Sequence, residues 1–68
     1  MKYKVDDKVL FTFLGQKMRG IVLDKLKDDK YRIKETDGTI YSFILASEPK
    51  PVKKESNNLV LGYIINKL

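Results

Sequence analysis

The 68-residue sequence predicts a small all-β domain built from short antiparallel strands. Two observations predict this fold class. Apolar and polar residues alternate with a period of two over much of the first 45 residues, as they do along strands with one buried face. Short stretches containing Gly or Asp separate the alternating segments, and both residue types favour turns. We expect one domain over residues 1–68, with a core meander over 3–45.

The first two predicted strands flank a stretch bounded by two glycines. Residues 8–14 (KVLFTFL) place Phe11 and Phe13 on the same face of a strand. The polar residues enclosed by the glycines make 15–20 (GQKMRG) the predicted turn. The second predicted strand covers residues 18–26, and its first residues overlap that turn.

Two further strands complete the predicted meander. Five of the six residues of 25–30 are charged, which predicts a solvated turn. A short amphipathic strand follows at 31–34. Asp37-Gly38 then marks a tight hairpin, because glycine tolerates the positive φ that such turns require. The fourth strand runs from residue 39 to about 45. The aromatic residues at inward positions, which we expect in the core, are Phe11, Phe13, Tyr31, Tyr41 and Phe43.

The remaining residues divide into a connector and a closing segment. Residues 47–58 (SEPKPVKKESNN) contain two prolines and predict an exposed connector. Residues 59–68 are compatible with a fifth strand or with a short helix. We favour a strand with a bulge or bend at Gly62, because glycine in a helix interior costs about 1 kcal/mol.

The order of these signals over residues 3–45 resembles small Src-homology-3-like barrels of the KOW and Tudor type. The Gly20-x-Val22 step is similar to the glycine–hydrophobic step of KOW motifs, and the Asp37-Gly38 hairpin is similar to the turn between the third and fourth strands. Asp6 departs from the pattern, since the family usually has glycine there. The resemblance implies a five-stranded antiparallel barrel closed by residues 59–68. It also implies nucleic-acid binding through the strands and loops.

The positive charge is concentrated in one part of the chain. The net charge is +5, but residues 15–34 carry a local +4 and residues 35–48 a local −3. On paired strands, the basic side chains of 15–34 are expected to form an outward stripe. The predicted nucleic-acid contacts are Lys17, Arg19, Lys25, Lys27, Lys30, Arg32 and Lys34. The alternative is a solvated outer face that only keeps the domain soluble.

Two alternatives concern the aromatic residues. Tyr3 and Tyr63 are candidates for stacking on nucleic-acid bases. A Tudor-like cage for a methylated cation would combine Tyr31 and Tyr41 with an acidic neighbour, Glu35 or Asp37. Packing in the core is the competing interpretation for Tyr31 and Tyr41.

Enzymatic activity is not expected. The chain has no Cys and no His, so thiolate and imidazole chemistry and the metal sites built on them are excluded. The carboxylate pairs at 6–7 and 28–29 fall in predicted turns, and no catalytic motif, cofactor site or metal site is found. No signal peptide or membrane-spanning segment is evident, so we expect a cytoplasmic protein without a membrane partner.

The second functional class is protein–protein interaction. The closing segment is more apolar than a thin barrel core requires, although closing the barrel is its simplest role. It therefore predicts an adaptor or inhibitor, or a homodimer formed through the barrel edge. The candidate interface residues are Leu59, Leu61, Tyr63, Ile65 and Leu68.

Overall fold

A computed structural model describes residues 3–48 and 61–68 of the chain. These residues form five strands and no helix, which confirms the all-β prediction. The strands are β1 (Lys8–Phe13), β2 (Gln16–Lys25), β3 (Lys30–Glu35), β4 (Ile40–Leu45) and β5 (Gly62–Lys67). They close into a barrel in the order β1-β2-β3-β4-β5, with β5 also paired to β1. This architecture fits a small Src-homology-3-like barrel.

The closing contact between β4 and β5 differs from the predicted all-antiparallel arrangement. These two strands are parallel and share a single bridged pair, Leu45 with Tyr63, whereas every other neighbouring pair is antiparallel. The segment from 59 to 68 is therefore a strand over Gly62–Lys67 and not a short helix. Its residues 59 and 60, like the predicted connector beyond residue 48, lie outside the described residues.

The core fills the barrel with side chains from all five strands and from Tyr3. Phe11 and Tyr31 are buried as predicted, and Phe13 and Tyr41 are half-buried against the core. The other fully buried apolar side chains are Val9, Val22, Ile33, Ile44 and Ile64. The inward position predicted for Phe43 is wrong, because its side chain is 64% exposed.

A β-bulge in β4 explains the exposure of Phe43. Ile44 pairs with Tyr31 and Tyr41 pairs with Ile33, so Ser42 and Phe43 together face the single residue Arg32. The extra residue reverses the inward and outward alternation beyond it. Ile44 therefore takes the core position that simple alternation assigns to Phe43.

Two further bulges interrupt the alternation. In β2, Val22 pairs with Ile33 and Asp24 with Arg32, which leaves Leu23 as the extra residue. In β5, the register shifts at Ile65. The bulge or bend expected at Gly62 is thus a bulge three residues later, at Ile65, and Gly62 itself begins β5.

The first turn is shorter than predicted. It consists of Leu14 and Gly15, whose φ angles are 51° and 85°, as a two-residue hairpin with positive φ at both positions requires. Gly20 lies within β2, where an added Cβ would stand 2.6 Å from Cγ2 of Ile33. The predicted turn over 15–20 is therefore wrong, and its basic residues belong to a strand.

The other predicted turns are confirmed. The turn between β2 and β3 contains Asp28 and Asp29, both with positive φ. Gly38 has a φ of 97°, and its N–H donates to the Glu35 carbonyl at 2.8 Å. Asp6 adopts a φ of 76°, a conformation that aspartate tolerates better than most residues. No helix among the described residues is long and apolar enough to cross a membrane.

Candidate functional site

Four basic side chains occupy neighbouring positions on the outside of β1, β2 and β3. We call them the outer basic face: Lys8, Lys17, Arg19 and Lys34. Ile21 pairs with both Lys8 and Lys34, and Arg19 lies two residues from Ile21 on β2. Directly paired residues project from the same face of a sheet, so these side chains share the outward face with Ile21, which is 38% exposed.

The spacing of the outer basic face follows from sheet geometry. Lys17 and Arg19 are separated by two residues along β2, which is roughly 7 Å at the usual rise per residue. Lys8 and Lys34 lie diagonally across from Arg19 on the two flanking strands, at a typical separation of about 7–8 Å. All four residues are exposed, and no ion pair formed within 3–48 and 61–68 involves them. The face therefore presents several cations to solvent.

Lys25 does not belong to this face, contrary to the sequence prediction. Beyond the bulge at Leu23, it pairs with the buried Tyr31, and its Nζ lies 6.0 Å from the centre of the Tyr31 ring. The same Nζ donates to the Leu26 carbonyl at 3.2 Å and lies 4.0 Å from Oδ1 of Asp29. These contacts hold Lys25 at the end of the barrel.

Asp24 takes the outward position predicted for Lys25. Its Oδ2 lies 3.4 Å from Nη1 of Arg32 on the neighbouring strand. Both side chains are substantially exposed, so this ion pair contributes little stability. Arg32 thus lies on the outward face of β3 beside an acidic residue.

The seven predicted basic contacts therefore fall into two groups. Lys17, Arg19, Arg32 and Lys34 project outward from β2 and β3, whereas Lys25, Lys27 and Lys30 surround the turn between these strands. The sequence prediction omitted Lys8. Its position immediately before the inward Val9 is the signal that would have placed it on the outer surface.

The predicted stacking residues, Tyr3 and Tyr63, are less exposed to solvent than Phe43. Tyr3 is buried, with its ring 5.7 Å from that of Tyr31 in an edge-to-face arrangement, so its assignment as a stacking residue is wrong. Burial, followed by the proximity of Tyr31, raises the pKa of the Tyr3 hydroxyl. Tyr63 is half-buried between Leu45 and Thr12. Phe43 is the exposed aromatic residue that the prediction missed.

The alternative of an aromatic cage is contradicted, and packing in or against the core is confirmed for Tyr31 and Tyr41. Tyr31 is 1% exposed and packs on Tyr3, so it presents no free ring face. Tyr41 instead packs on Phe13 and Phe11, with ring centres 4.7 and 5.5 Å apart. The two tyrosines thus belong to different aromatic clusters.

An acidic cluster adjoins Tyr41 near the hairpin between β3 and β4. Asp37 Oδ1 accepts the Thr39 N–H at 2.8 Å, and this hydrogen bond lowers the pKa of Asp37. Removal from water and then the neighbouring Asp37 raise the pKa of Glu35. Glu35 pairs with the buried Gly20, which sets it on the opposite side of the sheet from Arg19. Across 3–48 and 61–68, no group of three or more acidic residues is arranged to hold a metal ion.

The candidate interface in the closing segment is divided between the core and the surface. Ile64 is 1% exposed and helps to close the barrel. The remaining apolar side chains stay accessible: Leu61 is 49%, Ile65 39% and Leu68 57% exposed, and Tyr63 is half-buried. Leu59 lies outside the described residues. The segment therefore contributes to the core and also leaves apolar surface in contact with water.

Comparison with known proteins finds no matching family model, no matching curated protein and no matching solved structure. Function is therefore inferred from the geometry and the charge of the chain itself. The outer basic face is the surface with the clearest chemical character.

Proposed function

We propose that this chain is a non-enzymatic module that binds nucleic acid through the outer basic face, as KOW-type barrels do. One observation carries the proposal. Lys8, Lys17, Arg19 and Lys34 lie together on the outside of three adjacent strands, without an acidic partner in the described part of the chain. Glu35 lies on the opposite side of the sheet from Arg19, whereas Asp24 lies on the outward side of β2 and pairs with Arg32.

The composition of the face favours phosphate recognition over base recognition. Three of its four residues are lysines, and lysine acts as a point charge that suits phosphate oxygens. Specific reading of base edges relies most often on arginine, and only Arg19 is available within the face. Low sequence specificity and a strong dependence on salt follow from this chemistry.

The clustering of Lys8, Lys17, Arg19 and Lys34 supports binding better than a solubility role does. A soluble domain needs a net charge, but that requirement is met wherever the charges lie. A cluster of like charges repels itself, so bringing four cations together has an energetic cost that a polyanion would offset. The supporting feature is thus the arrangement of the charge and not its total.

Charge reversal with a matched control tests the proposal. The variant Arg19→Glu/Lys34→Glu and the control Lys25→Glu/Lys27→Glu both change the net charge from +5 to +1. Because each phosphate contact contributes about 8-fold to duplex affinity at ~0.1 M salt, we expect the first variant to bind about 60-fold more weakly. The control should lose only several-fold. Binding is measured by fluorescence anisotropy on mixed-sequence oligonucleotides, with thermal unfolding as the check on folding.

Two results would contradict the proposal. Equal losses in both variants would mean that only net charge matters. A larger loss of affinity in the control would indicate that nucleic acid binds at the turn between β2 and β3. Absence of binding by the unmodified protein at low salt would favour the second candidate function.

The second candidate is protein binding through β5. Leu61, Ile65 and Leu68 expose apolar surface, and the single bridged pair between β4 and β5 leaves most of their facing edges without a strand partner in the described residues. Exposed strand edges of this kind pair with other chains. Light scattering after size-exclusion chromatography tests a homodimer, and Ile65→Ser should convert any dimer to a monomer.

A further inference from the structure

Phe43 combines three unusual features. It is a large aromatic residue that is 64% exposed on a strand. Its φ is 62°, in the left-handed region that bulky residues rarely adopt. It lies at the bulge of β4, and bulges often re-aim a side chain beside a functional site. Strained backbone of this kind likewise concentrates at functional sites.

One basic side chain lies against the Phe43 ring, and a second belongs to the residue of β3 that faces the bulge. The Nζ of Lys30 lies 5.7 Å from the ring centre, within cation–π range. Arg32 is the residue of β3 that faces the bulge. The guanidinium of Arg32 lies 3.4 Å from Asp24 Oδ2 on β2, so Lys30 is the cation placed directly on the ring. The ring is therefore an apolar platform with Lys30 against it and Arg32 on the adjacent strand.

This platform continues the outer basic face. Arg32 is two residues from Lys34 on β3, so both project outward from the same strand. Basic side chains thus extend from Arg19 on β2, through Lys34 and Arg32 on β3, to the Phe43 ring on β4, with Asp24 beside Arg32 as its ion-pair partner. Alternating cations and an accessible aromatic ring match the chemistry of a nucleic-acid strand, in which phosphates are joined to flat bases.

We propose that Phe43 is a stacking platform for an unpaired nucleobase, and that the protein therefore prefers single-stranded nucleic acid to a duplex. This inference rests on the proposed function. The outer basic face would hold the phosphates, while Lys30 and Arg32 contact the phosphates that flank the stacked base. A base within a duplex is already stacked between its neighbours and cannot reach the ring. Every base has a π face, so this contact adds affinity without sequence specificity.

The alternative occupant of this platform is a second copy of the chain or another protein. Charge argues against a second copy, because Lys30 beside the ring of one copy would approach a molecule that itself carries a charge of +5. A polyanion has the complementary charge. The oligomeric state of variants at this position separates the two occupants.

The test compares Phe43→Leu, which keeps the apolar character but removes the ring, with Phe43→Tyr, which keeps the ring. Leu14→Ala is the control, because Leu14 is 67% exposed and also has a positive φ. The probes are single-stranded oligo(dT) and a mixed-sequence duplex of equal length. Affinity is measured by fluorescence anisotropy, stacking by the fluorescence of 2-aminopurine placed in the strand, folding by thermal unfolding, and mass by light scattering.

We expect Phe43→Leu to weaken single-strand binding by about 5- to 150-fold, the usual contribution of one stacked base, and to change duplex binding by less than about 2-fold. Phe43→Tyr should retain the affinity and the 2-aminopurine quenching, and Leu14→Ala should change neither. Equal losses on both probes, or no loss on either, would overturn the inference. So would a dimer that Phe43→Leu dissociates.

Failure of this inference is distinguishable from failure of the proposed function. Suppose that oligo(dT) and duplex both bind and that Arg19→Glu/Lys34→Glu weakens both complexes. If Phe43→Leu then weakens neither, binding through the outer basic face is supported and stacking on Phe43 is contradicted. If neither probe binds at low salt, both proposals are wrong.

Discussion

The proposed binding of nucleic acid by the outer basic face predicts that affinity depends strongly on salt concentration. Raising the salt concentration returns counterions to the phosphates and so competes with each protein cation. The logarithm of the association constant falls linearly with the logarithm of salt concentration, by about 0.9 for each neutralised duplex phosphate and about 0.7 for a single strand. The number of contacts therefore fixes the slope.

The structure supplies that number. Lys8, Lys17, Arg19 and Lys34 are four exposed cations on one face. Four contacts predict slopes of about −3.6 on duplex and about −2.8 on single strands. Between about 50 and 200 mM KCl, affinity should then fall by about 150-fold on duplex and about 50-fold on single strands. Contacts from Lys30 and Arg32 to a single strand would make the second slope steeper.

The assay is a titration of labelled oligonucleotides by fluorescence anisotropy at several KCl concentrations. Arg19→Glu/Lys34→Glu removes two of the four contacts and should reduce the duplex slope to about −1.8. A decrease in affinity of less than about 3-fold across the same range would mean fewer than one neutralised phosphate, which would refute electrostatic binding by this face. An unchanged slope in the double variant would place the contacts elsewhere.

Two further predictions concern the barrel itself. In Gly20→Ala, the new Cβ would stand 2.6 Å from Ile33 Cγ2 and 2.8 Å from the Lys34 carbonyl oxygen, so urea unfolding should show a loss of about 2–3 kcal/mol. Gly15→Asn, in open space and with a residue that tolerates positive φ, should lose less than about 1 kcal/mol; equal losses would contradict the steric argument. Glu35→Gln should raise the melting temperature near pH 7 but not near pH 3. The raised pKa of Glu35 means that its favourable contribution is present below its ordinary pKa and is lost as pH rises through the folded-state value. An equal change at both pH values would show a packing effect instead of an electrostatic one.

The fold could be predicted from the sequence because its signals are local. Alternation with a period of two identifies most strands, and Asp37-Gly38 identifies one hairpin, since glycine supplies the φ of 97° that this turn requires. The predicted position of the first turn is wrong because it relies on the two glycines as turn markers. Leu14, an apolar residue, adopts a φ of 51° and forms the turn with Gly15, whereas the second glycine, Gly20, serves core packing.

The candidate site could be predicted only in part, because it depends on register. Arg19 and Lys34 were placed outward by simple alternation, and the structure places them there. Lys25 was misplaced because one extra residue at Leu23 reverses the alternation after it. Lys8 was overlooked because only the pairing of β1 with β2 brings it beside Arg19.

The bulges in β2 and β4 make the predicted side-chain directions wrong, and the bulge in β4 also creates the exposed aromatic surface of Phe43. Closing five short strands into a barrel requires strong local bending, which bulges supply. In β4 the sequence contains two adjacent large apolar residues, Phe43 and Ile44, and a strand with one buried face cannot bury both. Ile44 is 0% exposed and fills the core, so the bulge that bends the strand leaves Phe43 outside. Barrel closure thus accounts for the exposure of this ring. It does not require a cation at position 30, so the placement of Lys30 Nζ at 5.7 Å from the ring centre is the observation that supports the proposed stacking contact.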